Sequence, residues 1–298
     1  MSEQNLFDEI VEYPDMERLD LYHRLVGLDS IKERLSKEAS IMLNPSVFNE
    51  WIETHHDPGA TIFADFGKRP PLFIFAGDVG TGKSALAKSF GAEIAKTMDT
   101  TVELYPLSLE SRGKGTVGEM TRLLSTAFRT ILEVAKNNLG KKGLIFLIDE
   151  ADAVAQSREL SQMHHEDRAG VNTLLRGIDD VASSGLPVVI IMCTNRSNSL
   201  DPAIKRRSAA IFDFSRPNLE QREFLLNEAL TPLGFDNAQI TELATITGEG
   251  VPFTYSDITQ RLLPSMVLAS FPVSPITFEI AKEVTKRVQA TPPFQEVS

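Results

Sequence analysis

Short apolar runs alternate with helix-like segments through the middle of this sequence. Five runs of β-like residues occupy 72–76, 102–107, 144–148, 188–193 and 210–214. Helix-period patterns lie between them at 83–97, 117–137 and 168–182. A strand that is apolar along its whole length is buried on both faces, as happens in parallel sheets covered by helices. The alternation therefore predicts an α/β fold built on a five-stranded parallel sheet.

The pattern changes beyond residue 217. Four helix-like segments follow, separated by Pro and Gly, at 219–232, 236–246, 254–270 and 277–289. We expect them to form a small helical lid domain over 218–298, after a large α/β domain over 20–217. Residues 1–19 are polar and acidic, which predicts a poorly ordered N-terminal extension. The segment 55–71 is rich in Gly and Pro and is typical of a loop.

The strongest candidate site is the glycine-rich turn between the first apolar run and the helix pattern after it. Its residues are Gly77, Asp78, Val79, Gly80, Thr81, Gly82, Lys83 and Ser84, with Ala85 next in the helix. A strand, a glycine turn and a helix in this order are typical of a phosphate-binding loop, whose backbone N–H groups face one anion. We expect Lys83 to reach the β- and γ-phosphates of ATP, and the Ser84 hydroxyl to hold Mg²⁺.

Two acidic residues follow the third apolar run. Asp149 and Glu150 stand at the carboxyl end of a predicted parallel strand, where α/β sheets bind their ligands. Asp149 is expected to complete the Mg²⁺ shell, and Glu150 to orient or deprotonate the water that attacks the γ-phosphate. Alone, such a pair is also typical of surface acids, but the phosphate loop favours the catalytic interpretation.

An asparagine and two arginines complete the candidate site. Asn195 ends the fourth run and could position the attacking water, although Asn is also common in strand-end turns. Arg206 and Arg207 follow a short helix-like segment at 200–204. Either could stabilise transition-state charge in a neighbouring subunit, and we place Arg207 first. The alternative is a basic helix end that complements its dipole.

Composition excludes several classes of protein. The apolar runs are too short to cross a bilayer and the N-terminus does not resemble a signal peptide, so no membrane partner is expected. The single cysteine, Cys193, fits a reducing cytoplasmic compartment and a place in the core. A net charge of −11 opposes nonspecific nucleic-acid binding. The adjacent histidines at 55–56 and 164–165 cannot easily share a metal, so we expect them in loops.

The order of these features resembles that of the AAA+ ATPases, a superfamily of P-loop NTPases. Phosphate loop, Asp-Glu pair, strand-end Asn, paired arginines and helical lid follow one another over residues 24–290. Within this superfamily the chain resembles the HORMA-domain-remodelling, thyroid-receptor-interactor-thirteen-like branch. Its bacterial members stand beside anti-phage signalling operons and disassemble HORMA complexes. The segments that carry this likeness are 111–112, 122–124, 170–179 and 261–264.

The resemblance implies an ATP-hydrolysing homo-oligomer, usually a hexameric ring, that remodels a protein client such as a HORMA-domain protein. It also implies that Gly27 and Leu28 belong to a segment that covers the adenine. The chain departs from the family in two places. The pore-loop position that usually carries a client-gripping aromatic residue is Gly113, and the lid position where this branch has an arginine is Ile258. Arg261, one helical turn further on, is the substitute candidate.

Two other functions remain open from the sequence. A DNA-replication loader or initiator would share this fold, but it would need a basic face or an added DNA-binding helix, and the pattern shows neither. A nonenzymatic ATP-gated scaffold would need nucleotide binding alone, without a use for Glu150 and the paired arginines. The interpretation favoured is an ATPase that remodels a protein client.

Overall fold

The computed structural model of this chain describes residues 6–67, 69–108, 118–155, 165–196 and 200–293. In these residues six strands form one sheet in the order β1-β3-β4-β5-β2-β6. The strands are β1 Val11–Tyr13, β2 Leu72–Gly77, β3 Thr101–Ser108, β4 Lys142–Asp149, β5 Val188–Thr194 and β6 Ala210–Phe214. β3, β4, β5 and β2 pair in parallel, each with the next, whereas β1 runs antiparallel to β3. The predicted α/β class is confirmed.

Each segment predicted as helical contains a helix, and further helices lie outside those segments. They are α1 Met16–Arg24, α2 Asp29–Leu43, α3 Pro45–His55, α4 Thr61–Gly67, α5 Lys83–Ala87, α6 Phe90–Thr97, α7 Glu119–Asn137, α8 Asp152–Ala155, α9 His165–Ser184, α10 Pro202–Arg206, α11 Leu219–Leu230, α12 Asn237–Ile246, α13 Leu263–Ser270 and α14 Phe278–Arg287. A 3₁₀ turn at Thr231–Leu233 follows α11, and a π-helical turn at Asp257–Leu262 leads into α13.

The prediction of a wholly parallel sheet of five strands is wrong by one strand. β1 lies within residues 1–19, which were expected to be poorly ordered, and it pairs with β3 over all three of its residues. Just before it, the Phe7 ring packs edge-on against Tyr105 and Phe146, with centroids 5.2 and 6.1 Å away. These apolar side chains order a segment whose composition is dominated by acidic residues, because burying a large aromatic ring offsets the entropy of ordering the chain.

The loop predicted over residues 55–71 is also wrong. α3 continues to His55 and α4 lies inside this segment. Trp51 of α3 stacks on Phe48 with centroids 5.8 Å apart, and its edge meets Phe63 of α4 at 6.0 Å. The His56 ring packs on Trp51 at 4.6 Å, so the first histidine pair belongs to a helix end. Aromatic packing between two helices outweighs the local Pro and Gly content here.

Contacts divide the chain into two compact units, each with its own core. The first unit comprises residues 1–24, 28–76 and 84–213, and the second comprises 25–27, 77–83 and 214–298. In the first unit, α7 and α9 bury their apolar faces against side chains of the central strands. In the second unit, apolar residues from α11 to α14 surround a separate core. The glycine-rich turn at 77–83 is therefore grouped with the C-terminal helices, and the predicted domain boundary at 217 stays a prediction.

Helix α9 packs tightly against Phe128 of α7 at Gly177. A Cβ added there would lie 2.3 Å from Cδ2 of Phe128, closer than atoms can pack. We expect Gly177→Ala to lower the free energy of unfolding by about 1–3 kcal/mol, because the Phe128 ring must leave its place. The matched control is Gly170→Ala on the same helix, where the nearest atom would lie at 3.6 Å and alanine favours the helix. Urea unfolding of both variants tests this, and equal destabilisation would contradict it.

Candidate functional site

The glycine-rich turn lies between β2 and α5 and is held together by its own backbone. Lys83 is 7% exposed, and its Nζ donates to the carbonyl oxygens of Gly77 at 2.8 Å and Asp78 at 2.7 Å. Gly80 has a φ of +77°, and a Cβ at that position would lie 2.7 Å from Thr254 Oγ1. Glycine is therefore required both for the backbone conformation and for the space. The result is a compact turn with an ammonium group against it.

The remaining residues of the turn divide between buried and exposed. Thr81 is buried, and its hydroxyl donates to the carbonyl of Asp78 at 2.7 Å. Val79 is half exposed. Gly82 adopts a φ of +97°, and Ala85 follows inside α5, where its carbonyl accepts a hydrogen bond from Ser89. The Asp78 carboxylate pairs with Arg216, a contact that no local sequence pattern indicates.

In the first unit, the structure brings Ser84 and Asp149 together across 65 positions of sequence. The Ser84 hydroxyl donates to Asp149 Oδ1 at 2.9 Å, and Lys88 Nζ lies 3.5 Å from Asp149 Oδ2. A hydroxyl and a carboxylate are hard oxygen ligands of the kind that Mg²⁺ takes, with the rest of its shell from water and phosphate. Among the described residues, no group of three or more His, Cys, Asp and Glu forms a metal cluster. The two oxygen groups of Ser84 and Asp149 fit a magnesium ion by their chemistry.

Glu150 stands directly after β4 in an unusual backbone conformation. Its φ is +54°, a value that residues other than glycine rarely adopt, and its side chain is exposed. The Glu150 amide donates to Asp149 Oδ1 at 3.1 Å, which holds the turn. Strained backbone of this kind costs roughly 1–3 kcal/mol and clusters at functional sites. The turn exposes Glu150 to solvent directly after Asp149, which accepts a hydrogen bond from the Ser84 hydroxyl.

Asp152 is the functional candidate that sequence reasoning missed. Its carboxylate accepts hydrogen bonds from Thr194 Oγ1 at 2.5 Å, from the Asn195 amide at 3.0 Å and from Asn195 Nδ2 at 3.2 Å. An Asn side-chain amide carries two donor hydrogens, so this contact orients the second one as well. Asp152 thus fixes the direction of Asn195 at the carboxyl end of β5. The only sequence feature that points to Asp152 is its position two residues after Glu150, and that position does not reveal its contact with Asn195.

Replacing Asp152 by alanine is expected to lower the free energy of unfolding by about 2–3 kcal/mol, because the buried Thr194 hydroxyl and the partly buried Asn195 donors lose their acceptor. Asp180→Ala removes the same charge from an exposed position on α9 and should change stability by less than about 0.5 kcal/mol. Urea unfolding of the two variants makes the comparison. If both unfold alike, the carboxylate of Asp152 does not hold the strand end.

The two arginines after α10 have different surroundings. Arg207 forms a two-point ion pair with Asp179, with Nε at 2.7 Å from Oδ1 and Nη2 at 3.0 Å from Oδ2. The hydrogen bonds to Asp179 raise the pKa of the Arg207 guanidinium, which is charged in any case. Arg206 is exposed. Of the two, Arg207 is therefore the side chain with a fixed direction.

Gly27 and Leu28 are divided between the two units. Gly27 has a φ of +73°, and a Cβ there would lie 2.3 Å from Gln221 Nε2 and 2.6 Å from the Tyr255 hydroxyl, all within the second unit. The Tyr255 hydroxyl donates to Gln221 Oε1 at 3.1 Å. Leu28 is buried in the first unit. The polar groups around Gly27 are ones that could face a nucleobase, and the adenine-covering role stays a prediction.

The C-terminal candidates are Ile258 and Arg261. Ile258 is fully buried in the core of the second unit, so this position holds a packing residue. Arg261 Nη1 donates to Asp257 Oδ1 at 2.8 Å. Burial alone would raise the pKa of Asp257, but hydrogen bonds from Thr254 and Thr291 outweigh it and lower the pKa to about 2. Arg261 is thus ion-paired with a carboxylate that is charged at neutral pH. The pore-loop residue Gly113 lies outside the described residues.

Comparison with known proteins identifies close relatives of the whole chain. A model of the "ATPase family associated with various cellular activities (AAA)" matches residues 73–216. CD-NTase-associated protein 6 of Escherichia coli (strain MS 115-1) is 48% identical over 298 residues, covering 97% of this chain and 96% of that protein. A second CD-NTase-associated protein 6, from Escherichia coli (strain KTE188), is 36% identical over 301 residues and covers both chains completely.

Solved structures agree with these sequence comparisons. A chain of the E. coli MS115-1 HORMA:CdnC:Trip13 complex matches with a TM-score of 0.90 at 47% identity, over 97% of each chain. Rhizobiales Trip13 matches with a TM-score of 0.76 at 36% identity, over 96% of this chain and 100% of that one. None of the described helices is long and apolar enough to span a lipid bilayer.

Proposed function

This chain belongs to the AAA family of ATPases, among the Trip13-like relatives of CD-NTase-associated protein 6, and we propose that it hydrolyses ATP to remodel a HORMA-domain protein in bacterial anti-phage signalling. The observation that carries the proposal is likeness over nearly the whole chain, at 47% identity, to a chain of a complex named for HORMA, CdnC and Trip13. This likeness extends well beyond residues 73–216, which the AAA family model matches.

One group of residues would bind ATP and its magnesium ion. Mg²⁺, when bound with ATP, supplies charge neutralisation at the phosphate oxygens. Lys83 would exchange the carbonyls of Gly77 and Asp78 for β- and γ-phosphate oxygens. Ser84 and Asp149 would hold the ion through their oxygen atoms. These are the groups that bind; none of them takes a proton from water.

Three further side chains act on the attacking water and the transition state. Glu150 would orient the water and accept its proton. Asn195, held by Asp152, would donate its second amide hydrogen to the water or to the γ-phosphate. Arg207 would offer its guanidinium to the nucleotide of a neighbouring subunit, where negative charge develops. An arginine that acts in trans requires assembly, so we propose that the chain works in the cytoplasm as a homo-oligomeric ring, with six subunits as the family resemblance implies.

The experiment that tests this proposal uses Glu150→Gln as a trap, because loss of the base should hold ATP and client on the ring. The tagged variant is isolated from its native host with ATP, and with ADP as the control, and its partners are identified by mass spectrometry. A HORMA-fold protein bound only with ATP is the expected result. Recovery of replication proteins alone, or of the same partners with both nucleotides, would remove the remodelling assignment while leaving the ATPase family in place.

A further inference from the structure

The phosphate-binding loop contains a carboxylate, which is an unfavourable group beside a polyanion. Asp78 directly follows Gly77 at the start of the loop, and its side chain is 27% exposed. Like charges held close together repel, most strongly where water is excluded. A loop that binds a triphosphate therefore needs something to offset this charge.

Arg216 carries a positive charge that offsets it. Its Nε donates to Asp78 Oδ2 at 2.8 Å across 138 positions of sequence, and the Arg216 side chain is only 11% exposed. Its Nη1 donates to the backbone carbonyls of Pro252 at 2.5 Å and Thr291 at 2.9 Å. Those two acceptors are uncharged, and Nη2 is buried without a hydrogen bond within the described residues. Asp78 thus supplies the charge that pairs with this guanidinium.

The position of Arg216 is fixed by the C-terminal segment. The Thr291 amide donates to Asp257 Oδ2 at 3.0 Å, and the Thr291 hydroxyl donates to Asp257 Oδ1 at 2.7 Å. Because Asp257 is buried and ionised, these bonds hold the Thr291 carbonyl in place against Nη1 of Arg216. The second unit by itself therefore determines where the guanidinium meets Asp78.

We propose that Arg216 is a positioning residue of the nucleotide site: it neutralises Asp78 and holds that carboxylate away from the phosphates. The inference rests on the proposed function of the loop as a triphosphate site. It predicts opposite effects on ATP affinity when the charge of Arg216 or the charge of Asp78 is removed. Loss of Arg216 removes the positive charge that faces the Asp78 carboxylate, whereas loss of the Asp78 charge leaves a buried cation that attracts phosphate.

The test is a set of titrations of the full-length protein with a fluorescent N-methylanthraniloyl derivative of ATP. We expect Arg216→Gln to raise the Kd about tenfold to hundredfold, the range for a charged hydrogen-bonded pair. Asp78→Asn should leave the Kd unchanged or lower it. The double variant Asp78→Asn/Arg216→Gln should return to within about threefold of the wild type, since neither charge remains. Arg287→Gln, at an exposed site, controls for the change in net charge.

The remaining outcomes distinguish failure of this inference from failure of the proposed function. If the double variant binds as weakly as Arg216→Gln, the arginine acts only through the Pro252 and Thr291 carbonyls, and the inference is wrong. If Arg216→Gln does not fold, as circular dichroism will show, Asp78→Asn alone decides, and a tenfold weaker Kd for it would overturn the inference. A wild-type protein that does not bind the probe would remove the proposed function itself, and the inference with it.

Discussion

Replacement of Glu150 by glutamine is expected to lower kcat for ATP hydrolysis by about 10²- to 10⁴-fold, the usual contribution of general acid–base catalysis. Glutamine keeps the size of the side chain but cannot accept a proton from water. The backbone at this position has a φ of +54°, and Asp149 holds its amide, so the substitution should leave the turn unchanged. The Kd for ATP should therefore stay within about twofold, because Glu150 is not among the groups expected to bind phosphate or metal.

The measurement is phosphate release at saturating ATP, together with a separate nucleotide titration. Glu249→Gln, an exposed substitution of the same kind, should show the wild-type kcat. A fall of less than about tenfold in Glu150→Gln would assign the proton to another acceptor. A parallel loss of ATP binding would show that the turn, rather than the base, had been disturbed.

Replacement of Arg207 by alanine should lower kcat by about 10³-fold or more, the contribution of an arginine that meets the transferring phosphate. Its guanidinium is held by two hydrogen bonds to Asp179, and the same fork of donors can bind a phosphate in exchange. Arg206→Ala is the matched control, because Arg206 is adjacent, carries the same charge and is exposed. A loss in Arg206→Ala that exceeds the loss in Arg207→Ala would reverse the assignment.

Mixing variants tests whether the arginine acts between subunits. Arg207→Ala subunits keep Glu150, and Glu150→Gln subunits keep Arg207, so each class lacks what the other provides. Equal mixtures should recover roughly a quarter of the wild-type phosphate release, since about half of the subunits keep the base and about half of those meet an intact arginine. If mixtures stay as inactive as the separate variants although they assemble together, Arg207 acts within its own chain or not at all.

The sequence predicts those parts of the molecule whose signal is local. β2, β4 and β5 appear as unbroken apolar runs because each is buried along its length. The glycine-rich turn is equally visible, since its conformation depends on residues next to one another. β1 was missed because it has only three residues, one of them an exposed acid, and its stability comes from pairing with β3.

Contacts between distant residues could not be predicted from one sequence. Asp152 and Asn195 lie 43 positions apart, and Arg216 and Asp78 lie 138 apart. An aspartate after a strand and an arginine before a proline have many ordinary roles, and only the fold brings each to its partner. Arg207 shows the same limit: its candidacy was visible from its position after a short helix, whereas its bond to Asp179 was not.

The position of Trp51 on α3 also determines which part of the molecule can be followed by intrinsic tryptophan fluorescence. Trp51 is the single tryptophan of the chain, it belongs to the first unit, and it stacks on Phe48. Tryptophan fluorescence therefore reports unfolding of the first unit and does not report unfolding of the C-terminal helices. Those helices contribute to the circular dichroism signal instead. Gly177→Ala should shift the emission transition, and Arg216→Gln should shift only the dichroism transition wherever the two units lose structure separately. Fluorescence and circular dichroism of one unlabelled sample thus measure the unfolding of the two cores of this ATPase separately.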